Sequence, residues 1–261
     1  MTERPLALVT GASSGIGFEL ARQFAQHGYD LVVAAEDAGI HEVPGKLTGT
    51  SVVARAVQVD LRTADGVEHL YATAVQGDRP LSAAALNAGV GMGDMFIKSD
   101  LRDDLDVVDL NVRSTVHLAK LILRDMASRD DGMVLFTSSV ASMMPGSYQS
   151  VYNASKSFVQ SFSEALRDEL RDTGITVTAL MPGPTDTNFF HRAKLDATPV
   201  GKMSKDDPAQ VARQGFEALM RGDQKVVGGS VSSMVMGTVS RVLPDNVKAI
   251  GSRLLSKPLN K

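Results

Sequence analysis

The amino-acid sequence predicts an α/β fold, a Rossmann-type doubly wound parallel sheet of about seven strands with helices on both faces. Short apolar runs without polar alternation recur along the chain, as expected for strands that are buried on both faces. Helical patterns separate these runs, which indicates right-handed β-α-β crossovers. No Pro-, Gly- or Ser-rich linker and no internal repeat divides the sequence. We therefore expect a single domain over residues 1–261.

The predicted strands and helices alternate from the N-terminus onward. A strand over residues 6–9 leads through a Gly-rich turn into a helix over 18–27, and a second strand follows at 31–35. The remaining strands are predicted at 52–59, 83–86, 133–136, 175–180 and 225–227. The remaining helices are predicted at 66–75, 105–126 and 151–172.

Two segments depart from this alternation. Residues 189–207 mix aromatic side chains with charges and lack clear periodicity, which is typical of a lid or binding loop. We expect this segment to be the substrate loop. The tail over 230–261 is apolar and basic, a pattern that favours a terminal helix docked on the body over a membrane-surface segment.

Composition excludes several classes of function. The 27 Lys and Arg residues against 30 Asp and Glu residues leave a net charge of −3, which argues against a nucleic-acid partner. The absence of Cys excludes a disulfide scaffold, thiol catalysis and a zinc–thiolate site. The five His residues stand far apart, with no pair at metal-ligand spacing, so no metal is expected. No apolar run is long enough to span a membrane, and the first residues lack a secretory pattern, so we expect a cytoplasmic protein.

Three glycines, Gly11, Gly15 and Gly17, lie between the first strand and the first helix. Such a turn lets backbone N–H groups approach a pyrophosphate at the positive end of the helix. A turn needed only for packing is the alternative, but the strand before it and the helix after it favour dinucleotide binding. No Lys-Ser or Lys-Thr pair follows Gly17, so a triphosphate-binding P-loop is not indicated.

The acidic pair Glu36 and Asp37 follows the second strand. A carboxylate at this place accepts a hydrogen bond from the adenosine 2′-hydroxyl and repels a 2′-phosphate. The next basic residue along the chain is Lys46. The pair therefore favours NAD(H) over NADP(H), although a solvated acidic loop would show the same residues.

Ser139, Tyr152 and Lys156 form the third pattern. Ser139 follows a predicted strand, and Lys156 lies one helical turn after Tyr152, about 6 Å along the axis and on the same face. A cation beside a phenol lowers its pKa from about 10, which suits the phenol to exchange a proton with a reacting oxygen. Taken singly, a Ser after a strand is typical of a turn, and a Tyr and a Lys four residues apart are typical of an exposed helix. Together, and in this order after the Gly-rich turn, they indicate catalysis.

With these motifs the chain resembles the single-domain branch of the short-chain dehydrogenase/reductase family over nearly its whole length. The resemblance rests on residues 10–17 (TGASSGIG), 60–61 (DL), 87–89 (NAG) and 182–183 (PG), together with the catalytic set Asn111, Ser139, Tyr152 and Lys156. Cofactor contacts are expected at Gly11, Ser13, Ser14, Gly15, Ile16, Gly17, Glu36, Asp60, Leu61, Asn87, Ala88, Gly89, Tyr152, Lys156, Pro182, Gly183, Thr185 and Thr187.

The resemblance implies an NAD(P)-dependent oxidoreductase that interconverts a carbonyl and a secondary alcohol by hydride transfer. Tyr152 would be the general acid and base, and Ser139 would orient the reacting oxygen. Lys156 would bind the nicotinamide ribose, and Asn111 would hold a water that links Lys156 to solvent. The second strand ends with neither the Asp common in NAD users nor the Arg common in NADP users, so both cofactors stay open. The family also implies a homodimer or homotetramer.

The substrate is expected to be a small hydrophobic ketone or alcohol. The residues that would line its side of the site are rich in Met and aromatic side chains, which form apolar, adaptable pockets. They are Met143, Met144, Tyr148, Phe189, Phe190 and Met203. The same residues would also suit ordinary packing. A non-catalytic dinucleotide-binding sensor or scaffold is the alternative function, and such a protein has no chemical need for the four catalytic side chains.

Overall fold

The computed structural model of this chain describes residues 4–47, 51–77, 79–230, 244–257 and 259. Seven parallel strands form one sheet in the order β3-β2-β1-β4-β5-β6-β7. The strands are β1 (Leu6–Thr10), β2 (Asp30–Ala35), β3 (Ala54–Gln58), β4 (Leu81–Leu86), β5 (Gly132–Thr137), β6 (Ile175–Pro182) and β7 (Lys225–Gly228). The predicted α/β class, parallel sheet and single domain are confirmed.

Helices connect successive strands and cover the sheet. They are α1 (Gly15–Gln26), α2 (Val43–Lys46), α3 (Ala64–Ala74), α4 (Leu101–Val108), α5 (Ser114–Ser128), α6 (Ser150–Glu169), α7 (Phe189–Arg192), α8 (Pro199–Lys202), α9 (Pro208–Arg221) and α10 (Asp245–Ser256). Short 3₁₀ turns occupy Ala38–Glu42 and Val140–Met143. None of the helices in the described part of the chain is both long enough and apolar enough to cross a membrane.

The sheet separates two apolar cores. Alternate residues of β1 enter opposite cores, with Leu6 and Leu8 on one face and Ala7 and Val9 on the other. All five residues of β1 are buried, which explains why its sequence shows no polar alternation. Because helices cover both faces of the sheet, packing in the two cores sets the position of these helices relative to the strand ends.

The order of the strands reverses direction at β1. This strand pairs with β2 on one side and with β4 on the other. In open parallel sheets a crevice forms at such a reversal, beyond the carboxyl ends of the strands. The Gly-rich turn after β1 and the segment after β4 therefore face each other across a cleft.

The long helix predicted over 105–126 is interrupted in the structure. A wide π-turn over Asp109–Arg113 separates α4 from α5 and contains Asn111. The π-turn occupies only five residues, and the sequence analysis extended one helix across it. The segment 189–207, which lacks clear periodicity, contains the one-turn helices α7 and α8. In the predicted tail, α10 is present as a helix, whereas residues 231–243 lie outside the described residues.

Candidate active site

The Gly-rich turn has a shape that only glycine permits. Gly11 and Gly15 have φ values of +66° and +57°, in the left-handed region. A Cβ at Gly17 would lie 2.1 Å from the carbonyl oxygen of Gly11. The backbone can therefore pass close to itself and leave the start of α1 open to the cleft.

The start of α1 is suited to an anion. Ser14 is the N-cap residue but makes no side-chain capping hydrogen bond, and the first turn carries no acidic side chain. The N–H groups and the positive end of the helix dipole are thus not satisfied by a capping side chain or a nearby carboxylate. This arrangement fits the pyrophosphate of a dinucleotide.

Three strand ends are held together below the cleft. The Thr10 hydroxyl oxygen accepts hydrogen bonds from the backbone N–H groups of Asn87 and Ala88, at 2.9 and 3.0 Å. The Asn87 side chain donates to the Thr10 carbonyl oxygen and accepts from the Thr137 hydroxyl, both at 3.1 Å. These bonds join β1, β4 and β5, so the floor of the cleft has little freedom to move.

Two arginines that the sequence analysis missed hold the Glu36 carboxylate. Arg62 lies 3.0 Å from one carboxylate oxygen, and Arg192 of α7 donates to the other. Arg62 also pairs with Asp60 and Asp106, and its hydrogen bonds keep the pKa of the Asp60 carboxyl below its usual value. Along the chain the next basic residue after Glu36 is Lys46, whereas in space Glu36 pairs with Arg62 and Arg192. Only the fold brings residues this far apart in sequence together.

Ser139 and Tyr152 meet at the inner end of the cleft. Ser139 follows β5, and Tyr152 lies in the first turn of α6. Both side chains are buried, and the Ser139 hydroxyl lies close enough to the Tyr152 hydroxyl to lower the pKa of the phenol. The Lys156 ammonium group lies 6.0 Å from the centre of the Tyr152 ring and donates to the Thr137 carbonyl oxygen at 2.9 Å. The sequence spacing thus places the three side chains together.

Burial sets the proton affinities of Tyr152 and Lys156. Loss of solvent raises the pKa of Tyr152 to about 12, while the hydrogen bond from Ser139 acts in the opposite direction. Burial lowers the pKa of Lys156 to about 8. The expected lowering of the Tyr152 pKa is therefore not what the structure shows. Both shifts have one cause, since burial disfavours the charged form of either group.

Asn111 lies behind Lys156 instead of in the cleft. Its carbonyl oxygen accepts from the Val90 N–H group, and its amide group donates to Val90 and Ser155, all at 2.9 Å. A Cβ at Gly89 would lie 3.1 Å from both Asn111 Oδ1 and Lys156 Nζ, so the two side chains meet at this glycine. The π-turn directs Asn111 toward the segment after β4.

Comparison with known proteins settles the family. A family model of the short chain dehydrogenases matches residues 5–197. The chain belongs to the short-chain dehydrogenase/reductase family. It is 30% identical over 216 residues to the oxidoreductase UcpA of Salmonella typhimurium, which covers 82% of this chain and 79% of that relative. The protein is accordingly an oxidoreductase that acts on alcohol or carbonyl groups.

Solved structures of the short-chain dehydrogenase/reductase family have the same fold. A short-chain dehydrogenase from Sphingobium yanoikuyae in complex with NADPH is 26% identical, with a TM-score of 0.80 over 85% of this chain and 87% of that one. A family member from Burkholderia phymatum in complex with NAD is 23% identical, with a TM-score of 0.83 over 92% of each chain. At that lower identity the likeness shows the fold alone.

All residues predicted from the family's motifs to contact the cofactor line one cleft. They include the Gly-rich turn, Glu36, the segments after β3 and β4, and the residues from Pro182 to Thr187. Asp37, the second member of the acidic pair, lines the cleft as well. So do residues that the sequence analysis did not identify: Val59, Gln149, Asn153, Arg192, Val200, Ser252, Leu255 and Ser256. These residues lie on separate segments that only the fold brings to the cleft, so no sequence motif marks them. Among the described residues, no cluster of His, Asp and Glu forms a metal site.

The outer part of the cleft is mostly apolar. Met144, Phe189, Phe190 and Met203 line it as predicted, and the Phe189 ring lies 5.1 Å from the Tyr152 ring. Met143 instead lines a separate shallow cavity on the other side of this segment. Tyr148 is outside the lining of the cleft in the described part of the chain.

Proposed function

We propose that this protein interconverts a carbonyl group and a secondary alcohol with a nicotinamide dinucleotide as hydride donor or acceptor. The observation that carries the proposal is that the buried Ser139 and Tyr152 side chains line the same cleft as the Gly-rich turn, with the Lys156 ammonium 6.0 Å from the Tyr152 ring centre. A bound nicotinamide ring supplies or accepts the hydride. The protein must then hold the reacting oxygen, exchange one proton with it and exclude water.

A dinucleotide suits the cleft along its whole length. The uncapped start of α1 offers backbone N–H groups to the pyrophosphate, and Gly15 and Gly17 allow close approach. Glu36 lies at the place where the adenosine ribose would be read, and Lys156 lies where the nicotinamide ribose would be held. The solved complex of the Sphingobium yanoikuyae relative with NADPH supports this choice of cofactor class.

Tyr152 is the proton donor in the reduction. A phenol with a pKa of about 12 is protonated at neutral pH and therefore has a proton to give to the carbonyl oxygen. Ser139 can donate a second hydrogen bond to the same oxygen, because it lines the cleft beside Tyr152 and acts on the pKa of the phenol. The nearby Lys156 ammonium stabilises the phenolate that is left after the transfer. In the oxidation the same groups act in reverse.

The charges around Glu36 favour NAD(H) over NADP(H). Two arginines, Arg62 and Arg192, pair with the three carboxylates of Glu36, Asp60 and Asp106. Asp37, next to Glu36 in the chain, adds a fourth carboxylate to the lining of the cleft and accepts a hydrogen bond from Ser13. The cluster therefore has a net negative charge, which repels a 2′-phosphate and leaves carboxylate oxygens for a 2′-hydroxyl. The pairing with two arginines holds the Glu36 carboxylate in place.

The substrate we propose is a hydrophobic ketone or secondary alcohol. Met and Phe side chains form most of the outer cleft, while Gln149, Ser252 and Ser256 add a few polar groups. Pockets of this composition bind apolar molecules and orient them with few hydrogen bonds. Nothing in the site favours the alternative of a binding-only sensor.

The proposal is tested by following the absorbance of NADH and NADPH with a panel of alkyl and aryl ketones. We expect cofactor oxidation with hydrophobic ketones, faster with NADH than with NADPH, and little with charged keto acids. Consumption of neither cofactor by any member of the panel, by a protein that binds NADH, would contradict the proposal.

A further inference from the structure

The segment that joins the two catalytic hydroxyls is tied to the catalytic helix by side chains of that helix. Residues 140–149 run from Ser139 to the start of α6. The buried Asn153 amide group donates to the carbonyl oxygens of Ala141 and Met144, both at 3.1 Å. One turn later the Ser157 hydroxyl donates to the Ser142 carbonyl oxygen at 2.7 Å. The first part of the segment therefore follows α6 wherever α6 is placed.

Ala141 connects Asn153 to Ser139. The Ala141 N–H group donates to the Ser139 hydroxyl oxygen at 3.1 Å, while the carbonyl oxygen of Ala141 accepts from Asn153. Asn153 is adjacent to Tyr152 in the chain. A short series of hydrogen bonds thus leads from the Ser139 hydroxyl to the residue next to the catalytic phenol.

Gly146 makes this arrangement possible. A Cβ at Gly146 would lie 2.1 Å from Asn153 Cγ and 2.4 Å from Asn153 Oδ1, so any larger residue would displace the amide. Asn153 Oδ1 is buried and has no hydrogen-bond partner among the described residues. The amide is accordingly held by its two donated bonds and by contact with Gly146, and it would not keep its place without them.

We propose that Asn153 is a positioning residue that holds the Ser139 hydroxyl at the correct distance from the Tyr152 hydroxyl. This inference rests on the proposed function, in which the Ser139 and Tyr152 hydroxyls act together on one reacting oxygen. Asn153 acts through Ala141 and Ser139. Its side chain need not touch the substrate for the effect to occur.

The structural part is tested without substrate by hydrogen–deuterium exchange of the segment 140–149. Asn153→Asp keeps the shape of the side chain but replaces the donating amide with an acceptor that repels both carbonyl oxygens. We expect faster exchange in this segment, and Gly146→Ala should have the same effect from the other side. Ser163→Ala removes a buried hydroxyl of α6 that binds only within its own helix, so it is the matched control. Unchanged exchange in both test variants would overturn the proposal.

The catalytic part is tested by a double-mutant cycle with a ketone that the wild-type protein reduces. We expect Asn153→Asp to lower kcat about tenfold, as for coupled residues in one hydrogen-bond network. Gly146→Ala, at a residue outside the lining of the cleft, should lower kcat in the same direction with the Kd for NADH unchanged. In the Ser139→Ala background Asn153→Asp should lower kcat less than about twofold, since the group that Asn153 positions is gone. A full tenfold loss in that background would overturn the proposal. A merely structural role would give such a loss.

Two further controls keep the outcomes distinct. If Asn153→Asp fails to bind NADH, Gly146→Ala replaces it in the cycle, because Gly146 lies outside the lining of the cofactor cleft. If Tyr152→Phe keeps full turnover, the proposed function itself fails, whatever Asn153 does. If Tyr152→Phe loses turnover while Asn153→Asp and Gly146→Ala keep the wild-type kcat, only the role of Asn153 fails.

Discussion

At neutral pH the Tyr152 hydroxyl keeps its proton and the Lys156 ammonium is near the pH at which it loses one. Burial raises the pKa of Tyr152 to about 12 and lowers that of Lys156 to about 8. In the proposed mechanism these states suit ketone reduction near neutrality, with a protonated acid and a cation beside it. The direction of the Tyr152 shift was missed from the sequence, because burial depends on contacts that spacing along a helix does not show.

The rate of ketone reduction should fall as the pH rises through about 8. Above this pH Lys156 becomes neutral, and the phenolate formed on Tyr152 loses the cation that stabilises it. The measurement is kcat against pH with saturating NADH and a hydrophobic ketone, alongside the Kd for NADH at each pH. A kcat that stays level to pH 10, the ordinary range for lysine, would contradict this reading of Lys156.

The Glu36 carboxylate should set the preference for NADH. Its replacement in Glu36→Ala removes an acceptor for the 2′-hydroxyl and leaves Arg62 and Arg192 facing that position. We expect NADH to bind about tenfold more weakly, since a hydrogen bond to a charged group contributes about 1.5–3 kcal/mol, and NADPH to bind more tightly.

Fluorescence titration with both cofactors measures this change. The matched control is Glu42→Ala, which removes an exposed carboxylate that pairs with Lys46 nearby in the chain, outside the cleft lining. Parallel weakening of both cofactors in Glu36→Ala would show that the charge of Glu36 is not what distinguishes them.

At the scale of elements, the short helix α7 connects the two ends of the cleft. Its first residue, Phe189, packs against Tyr152, and its last residue, Arg192, pairs with Glu36. Two glycines let α7 lie close to the segment after β4. A Cβ at Gly91 would be 2.5 Å from the Phe189 ring, and the Gly93 N–H group donates to the Ala193 carbonyl oxygen at 2.8 Å. This helix thus lies across the groove that the dinucleotide would fill.

Loss of the Arg192 ion pair should speed the release of NADH. Arg192→Ala removes the contact that joins α7 to the ribose end of the cleft. Arg192 is half exposed, and such pairs contribute about 0.2–1 kcal/mol, so we expect release up to about fivefold faster. Lys194→Ala is the control, because it removes an ion pair from the same segment to Asp103, outside the lining of the cleft.

Stopped-flow fluorescence of NADH dissociation compares the two variants. Equal release rates in wild type and Arg192→Ala would show that α7 does not retain the cofactor. Equal acceleration by Lys194→Ala would assign the effect to general loosening of the segment and not to the pair with Glu36.

The elements themselves were predictable where a local pattern determines them. Continuous apolar runs predicted the strands because the sheet is covered on both faces, and Gly11, Gly15 and Gly17 predicted the phosphate turn because no other residue fits there. The π-turn at Asn111 and the short helices in 189–207 were not predictable, since each depends on contacts with distant segments. The place of Met143 was not predictable either, because Met144 lines the cleft whereas its neighbour Met143 lines only the second cavity.

For the whole molecule, the fold brings together groups that are far apart in the sequence. The pair of Glu36 and Arg192 spans 156 residues, and the hydroxyls of Ser139 and Tyr152 depend on strands and helices from the second half of the chain. The order of the strands could be inferred from the family resemblance. The ion pairs across the cleft join segments that only the fold brings together, so the sequence does not predict them.

The molecule also exposes an apolar face on α4. Leu101, Leu105 and Val108 are exposed there, and Phe158 of α6 is partly exposed. A contiguous exposed apolar face is typical of a subunit interface. We therefore expect a homodimer or homotetramer, and sedimentation should give a multiple of the 27.7 kDa chain mass that Leu105→Asp reduces. A monomer in wild type at micromolar concentration would contradict this expectation.

The proposal that Tyr152 is the proton donor is tested by comparing the turnover of Tyr152→Phe with that of Tyr71→Phe. Both changes remove one phenolic hydroxyl, but Tyr71 lies on α3, away from the cleft. If Tyr152 supplies the proton to the reacting oxygen, its variant should bind NADH normally and lose about 10²–10⁴-fold in kcat for ketone reduction, while Tyr71→Phe keeps the wild-type rate. Equal turnover of the two variants with the same ketone would contradict the account.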